Sequence, residues 1–252
     1  MLVSNPAIDS VAIVLYQPQD VVNVAAIIRV MSNFGLTQLR LVEPAAFDPY
    51  RIEGIAHHTR ELIEATRRFA SLEEALSDCG LVLGTTGRPR QGERLILTPR
   101  QAAPYTLEAA RHQRVAILFG PEQDGLPNEA LDRCHGLITI PTHPRNPSLN
   151  LAQAALVIAY ELWMSAAAPR EGAPPAPAPP PAALAGGSER ESLFGALEQL
   201  LRSLYPATTP DRLEGAMARL RTLLMRAQPR REEAEALTNL LRHAARAARR
   251  EE

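Results

Sequence analysis

The chain has 252 residues, 46% of them apolar and 22% charged, which excludes wholesale disorder and allows one large domain or a medium and a small one. All 27 basic residues are arginine, set against 28 acidic ones, and the net charge of −1 excludes a uniformly basic nucleic-acid coat. Without lysine there is no Schiff-base or P-loop lysine chemistry, and the two cysteines, Cys79 and Cys134, form no CxxC, which argues against disulfide frameworks and structural zinc.

In chain order, residues 11–15 read as a buried strand, 22–34 as a helix ended by Gly35, and 39–42 as a second strand. Helical patterns follow over 59–69 and 72–78, then a strand over 81–84, a helix over 99–112 and a strand over 115–119. A helix is expected to start at Pro127 or Asn128, a strand to cover 137–141, and an apolar helix to run from 148 to 164 with Ser148 as its N-cap. Such alternation predicts an α/β fold with a mainly parallel sheet, helices on both faces, and ligands at the carboxyl ends of the strands.

Residues 172–187 are six Pro, six Ala, three Gly and one Leu, a composition that favours an extended spacer over a packed segment. Beyond it, leucine and methionine recur at helical spacing in three stretches punctuated by Pro206, Pro210 and Pro229. The expected organisation is a domain over 1–168, a Pro/Ala-rich linker over 169–188 and a small helical extension over 189–252. That extension is too small for a large core of its own, so it is expected to dock. No apolar run is long enough to span a membrane and no leader pattern opens the chain, so a soluble, cytoplasmic protein is expected.

Three stretches carry chemistry. Asn23 to Gly35 is a helix whose apolar stripe is Val24, Ile27, Ile28 and Met31, with Arg29 off that stripe. Phe119-Gly120-Pro-Glu122-Gln-Asp-Gly125-Leu126 follows a buried strand, where glycine allows close backbone approach to a ligand. Ile140-Pro141 leads through a polar loop to Ser148-Leu149-Asn150-Leu151-Ala152, a helix start with free amide donors. Neither GxGxxG nor GxxxxGK is present.

In order and spacing the three stretches resemble the motifs of the SpoU-type branch of the SPOUT RNA methyltransferases, and within it the TrmJ-like tRNA 2′-O-ribose methyltransferases. Leu81-Val-Leu-Gly-Thr-Thr-Gly-Arg88 resembles a fourth characteristic stretch, and residues 217–229 resemble the small helical extension of that group. Ala25 stands where glycine is usual, and Pro147 where a small residue is common. The resemblance implies a trefoil-knotted α/β domain, with the knot over 115–162, and a homodimer that uses S-adenosylmethionine as methyl donor. Thr85, Thr86, Gly87, Leu118, Gly120, Glu122, Ile140, Ser148 and Leu149 would hold the donor. Arg29, supplied across the dimer, would be the key catalytic residue, with Ser148 and Asn150 orienting the hydroxyl. Asn23 would position Arg29 or the ribose, and Glu122 would fix the loop. A guanidinium holds its proton firmly, so Arg29 is expected to grip the adjoining phosphate and stabilise developing alkoxide rather than act as a base.

The implied substrate is tRNA, at a cytidine or uridine of the anticodon loop (position 32). Arg29, Arg88 and Arg90 are the expected RNA contacts, and the C-terminal helices the grip on the tRNA body. Two other readings stay open here, methylation of ribosomal RNA and a non-catalytic knotted RNA-binding protein. The C-terminal extension argues against the first, and the joint presence of Asn23, Arg29, Glu122, Ser148 and Asn150 against the second. No metal site is expected, because adjacent His57 and His58 cannot share an ion as an i, i+4 pair could.

Overall fold

A computed structural model describes residues 6–87, 94–167 and 184–248. Among them seven strands form one sheet: β1 (Val11–Tyr16), β2 (Gln38–Val42), β3 (Arg67–Phe69), β4 (Cys79–Thr85), β5 (Leu95–Leu97), β6 (Arg114–Phe119) and β7 (Gly136–Ile138). The strand order is β3-β2-β1-β6-β4-β7-β5, and each pairing is parallel. The helices of the body are α1 (Pro6–Asp9), α2 (Val21–Asn33), α3 (Pro49–Ile55), α4 (Arg60–Ala65), α5 (Leu72–Leu76), α6 (Pro99–Ala110), α7 (Asn128–Leu131) and α8 (Leu151–Ala167). Three more follow: α9 (Gly187–Leu204), α10 (Pro210–Ala227) and α11 (Arg231–Ala248).

The central strands are apolar throughout because both sheet faces are covered. Val11, Ile13 and Leu15 of β1 and Val115, Ile117 and Phe119 of β6 pack under α2, α6 and α8. Ala12, Val14, Ala116 and Leu118 face the other way, toward α5 and α7. This alternation follows from the two-residue period of a strand.

Several elements differ from the sequence reading. The helix expected over 59–69 stops at Ala65, where the Thr66 hydroxyl donates to the Leu62 carbonyl at 2.8 Å, and Arg67–Phe69 turns into an edge strand beside β2. The guanidinium groups of Arg67 and Arg40 both lie over the Phe69 ring, 4.9 and 5.8 Å from its centroid. Three further elements were not anticipated. They are the short α1, β5, a three-residue edge strand, and α3, whose cap Asp48 accepts from the Tyr50 and Arg51 amides at 3.1 Å. The strand expected over 137–141 ends at Ile138.

The last residues of the expected linker are packed. Leu184 and Ala185 are buried, the Leu184 amide donates to Gln113 Oε1 at 2.9 Å, and an added Cβ on Gly187 would lie 2.5 Å from the Leu76 carbonyl oxygen. The C-terminal helices have a small core of Phe194, Leu213, Met217 and Met225. They dock at the amino ends of β4 and β6, opposite the ends where ligands gather. Arg190 of α9 is buried there and donates to the carbonyls of Ala185, Gly80 (3.4 Å) and Cys79 (3.3 Å). Burial pushes its guanidinium down to about 10. Nearby His135 is buried and accepts from the Val82 amide at 3.0 Å; burial, then the Arg190 charge, holds it well below the usual imidazole range, so it stays neutral. No described helix is long and apolar enough to cross a membrane.

Candidate functional site

A cavity of about 390 Å³ opens at the carboxyl ends of β4, β6 and β7. Three chain segments wall it. Thr85, Thr86 and Gly87 leave β4, residues 119–126 leave β6, and Ile140 together with Pro147, Ser148 and Leu149 leads from β7 into α8. This is where a parallel sheet collects ligands, and the volume suits a small cofactor.

The walls are held close by backbone. The Thr86 amide donates to the Ile138 carbonyl at 3.0 Å, tying the first wall to the third. An added Cβ on Gly87 would lie 3.2 Å from the Pro147 carbonyl oxygen. At Gly120 the approach is tighter, since an added Cβ would lie 2.4 Å from Gly125 C and Leu126 N, both backbone atoms. The loop closes on itself there through the Gly125 amide, which donates to the Pro121 carbonyl at 3.0 Å.

Glu122 joins this loop to the start of α2. Its carboxylate accepts from the Gln19 amide (3.0 Å), the Asp20 amide (3.2 Å) and Asn23 Nδ2 (3.0 Å). Partial burial alone would raise its titration point, but the hydrogen bonds from Asn23, Gln19 and Asp20 outweigh that and hold it below the usual carboxylate range. A depressed native value stabilises the fold above the unfolded value of about 4.5, and that contribution is lost as pH falls through the native one. The unfolding midpoint is therefore expected to drop in acid, and Glu122→Gln, which removes the charge and replaces one of two acceptor oxygens with a donor, to flatten that drop. The substitution should cost about 1 kcal/mol at neutral pH, read by denaturant titration at several pH values.

The chain of bonds continues. Asn150 Nδ2 donates to Asn23 Oδ1 at 2.9 Å, and Asn150 Oδ1 accepts from the amides of Ala152 (2.8 Å) and Gln153 (3.3 Å). Asn150, not Ser148, thus caps α8, which begins at Leu151. Ser148 is left on the cavity wall, and its hydroxyl makes no hydrogen bond among the described residues. One relay therefore runs Glu122, Asn23, Asn150, α8, drawing together all three motifs.

The other expected site residues fall as follows. Thr85, Thr86, Gly87, Gly120, Glu122, Ile140, Ser148 and Leu149 line the cavity. Leu118 does not; it is fully buried beneath, and its carbonyl accepts from Thr85 Oγ1 at 3.2 Å. Arg29 is exposed and lies off the cavity, with Nη1 donating to the His57 carbonyl at 2.6 Å. Asn23 holds Glu122 and Asn150 rather than Arg29, two turns away on the same helix. Arg88 and Arg90 lie outside the described residues. Arg94 and Arg100, their neighbours in sequence, are paired with Asp132 (2.7 Å) and Glu161 (3.6 Å). Sequence reasoning missed Asp20, whose side chain caps α2 by accepting from the Val22 amide at 2.8 Å; an aspartate directly before the apolar helix pattern was the available signal.

Comparison with known proteins matches residues 10–160 to the SpoU rRNA methylase family. A tRNA (cytidine/uridine-2′-O-)-methyltransferase TrmJ from Cronobacter sakazakii is 34% identical over 93% of this chain and 95% of its own length. The tRNA (cytidine/uridine/adenosine-2′-O-)-methyltransferase TrmJ of Pseudomonas aeruginosa is 39% identical over 63% of this chain and 62% of its own. The TrmJ structure from Z. mobilis superposes with a TM-score of 0.76 at 32% identity, covering 91% of this chain and 96% of the other. With the three motifs assembled around one cavity and likeness running nearly end to end, the chain belongs to the SpoU methylase family.

Proposed function

We propose that this protein transfers a methyl group from S-adenosylmethionine to the ribose 2′-hydroxyl of a cytidine or uridine in tRNA, working as a homodimer. The observation that carries this reading is the placement of Ser148 on the cavity wall beside the Glu122–Asn23–Asn150 relay, its hydroxyl without a hydrogen-bond partner among the described residues. The cavity fits the donor. Gly120 and Gly87 let the wall segments approach one another more closely than a Cβ would allow, and Glu122 and Asp124 give an acidic lining for a sulfonium cation. When bound, the donor supplies an electrophilic methyl group on positively charged sulfur.

An alcohol is a weak nucleophile, so the protein must orient it in line with that methyl and ease loss of its proton. Ser148 stands where it can accept a hydrogen bond from the ribose hydroxyl, while Asn150 and Asn23 hold the helix start that carries it. Arg29 does not reach its own cavity wall, which supports its delivery to a neighbouring site. There the guanidinium of Arg29 of the partner subunit would grip phosphate and stabilise the developing alkoxide. The knotted threading over 115–162 belongs to the same reading.

An uncovered apolar stripe supports the dimer. Leu156, Tyr160 and Met164 recur at four-residue spacing along α8 and are 44%, 48% and 46% exposed, with Val22 of α2 at 42%. Phe34 meets Tyr160 edge-on, 6.2 Å between centroids, so α2 and α8 present one continuous face. Leu156→Asp is expected to give a monomer by light scattering and to lower turnover about 100-fold, while donor affinity stays within about twofold, because Leu156 lines no cavity.

tRNA is favoured over ribosomal RNA because the similarity to TrmJ enzymes extends past the catalytic body into the C-terminal helices. On α10, Arg212, Arg219 and Arg226 recur every seven residues on one exposed face, and with Arg88 and Arg90 they are our proposed phosphate contacts. The decisive experiment is transfer of radiolabelled methyl to purified tRNA and rRNA, followed by mapping of the modified nucleotide. Label on a 2′-O-methylated pyrimidine of the anticodon loop is expected; label on rRNA alone, or on neither, rejects the reading. Reversing the charge of Arg88 and Arg90 together is expected to flatten the salt dependence of tRNA binding.

A further inference from the structure

Arg29 reaches away from its own cavity to the turn between α3 and α4. Its Nη1 donates to the His57 carbonyl at 2.6 Å, while Nε and Nη2 make no hydrogen bond among the described residues. One corner of the guanidinium is thus anchored, and the rest of the fork stays available to a phosphate. An exposed arginine samples many rotamers, and a short bond at its tip selects among them. What fixes the His57 carbonyl therefore fixes the guanidinium.

The turn covers residues 56–59. Ala56 is fully buried and closes α3, its amide donating to the Ile52 carbonyl at 2.8 Å. Thr59 opens α4 and is buried. A threonine at a helix start ordinarily accepts a hydrogen bond from a first-turn amide. Thr59 makes no such bond; its hydroxyl turns back and donates to the Ala56 carbonyl, closing the turn around His57 and His58. His58 is exposed and adopts the left-handed backbone conformation at φ +62°, which is uncommon outside glycine and strained for a β-branched residue.

We propose that Thr59 and His58 are positioning residues for methyl transfer: the closed turn holds the His57 carbonyl where it aims Arg29 at the phosphate beside the reacting hydroxyl. The proposal rests on the Arg29 reading above. Opening the turn frees the guanidinium and slows the chemical step. It leaves the donor cavity as it was, because no residue of the turn lines it.

The test is a double-mutant cycle of Thr59→Val with Arg29→Ala, read by single-turnover methyl transfer at saturating tRNA and by calorimetric titration of S-adenosylmethionine. Thr59→Val removes the hydroxyl and is expected to lower the rate about tenfold with donor Kd within about twofold of wild type. Thr59→Ser, which restores the hydroxyl, should recover most of that rate. On top of Arg29→Ala, Thr59→Val should cost less than about twofold more, since the residue it acts through is gone. A folded Thr59→Val with a rate within about twofold of wild type overturns the proposal. So does an equally large loss in the Arg29→Ala background, or a rise in donor Kd that matches the loss of rate. If Thr59→Val does not fold, His58→Val replaces it in the same cycle, with an expected loss of about threefold, and an unchanged rate overturns the proposal. Turnover near wild type for Arg29→Ala overturns the Arg29 reading itself, and shows this before any variant of the turn is read.

Discussion

Arg29→Ala is expected to lower methyl transfer about 100- to 1,000-fold while leaving donor affinity within about twofold, the size of effect seen when one preorganised donor to a developing oxyanion is removed. The separation of the two effects follows from geometry. Arg29 lies off the cavity of its own chain, so the donor site survives, whereas the phosphate and oxygen it would serve belong to the transition state. Its bond to the His57 carbonyl at 2.6 Å already fixes the guanidinium, so little reorganisation accompanies substrate arrival. Arg29→Lys keeps the charge but loses the fork, and should recover only part of the rate. Single-turnover kinetics with calorimetric donor titration reads both quantities. Turnover near wild type for the alanine variant removes Arg29 from the mechanism, and a donor affinity that collapses with it shows that the residue serves its own site.

The second large effect concerns the loop after β6. Gly120→Ala places a methyl 2.4 Å from two backbone atoms of residues 125 and 126, and neither can move aside as a side-chain tip would. The loop must shift, carrying Glu122 and the cavity wall with it. Donor affinity should fall at least about tenfold and stability by about 1–3 kcal/mol, the usual cost of overpacking a tight site. Gly125→Ala is the control. It meets no atom within 4 Å, and its cost comes only from the left-handed backbone at φ +68°, so it should lose less affinity. Equal losses for the two variants would show that backbone conformation, not space, governs this loop.

How far the sequence reveals the fold depends on where each element sits. The strands β1, β4 and β6 lie inside a doubly covered sheet, so their residues 11–15, 81–83 and 115–119 are continuously apolar and announce themselves, while β2 keeps the apolar pattern around one buried arginine, Arg40. The edges do not. Arg67 and Arg68 look helical and solvent-facing until Phe69 is seen held under Arg40, a contact from a residue 29 positions earlier that no local pattern encodes. At three residues, β5 carries too short a pattern to read. The start of α8 shows the limit of cap rules. Serine and asparagine two residues apart are both good caps, and the choice falls to Asn150 because its amide is also needed by Asn23. The motifs were legible as motifs because residue type and order suffice to mark them, but the relay joining them spans 127 residues and exists only once the strands are parallel neighbours.

Arg190 carries a consequence for how the two parts of the chain can be separated. Cutting the chain ahead of α9 would strip the carbonyls of Cys79 and Gly80 of their buried donor and bare the helix α5 backbone against which Gly187 lies. The shortened body would start out weakened at the root of β4, the strand whose far end walls the cavity. A drop in activity after such a deletion would then mix lost RNA grip with a loosened foundation, and single changes on the outer face of α10 separate the two.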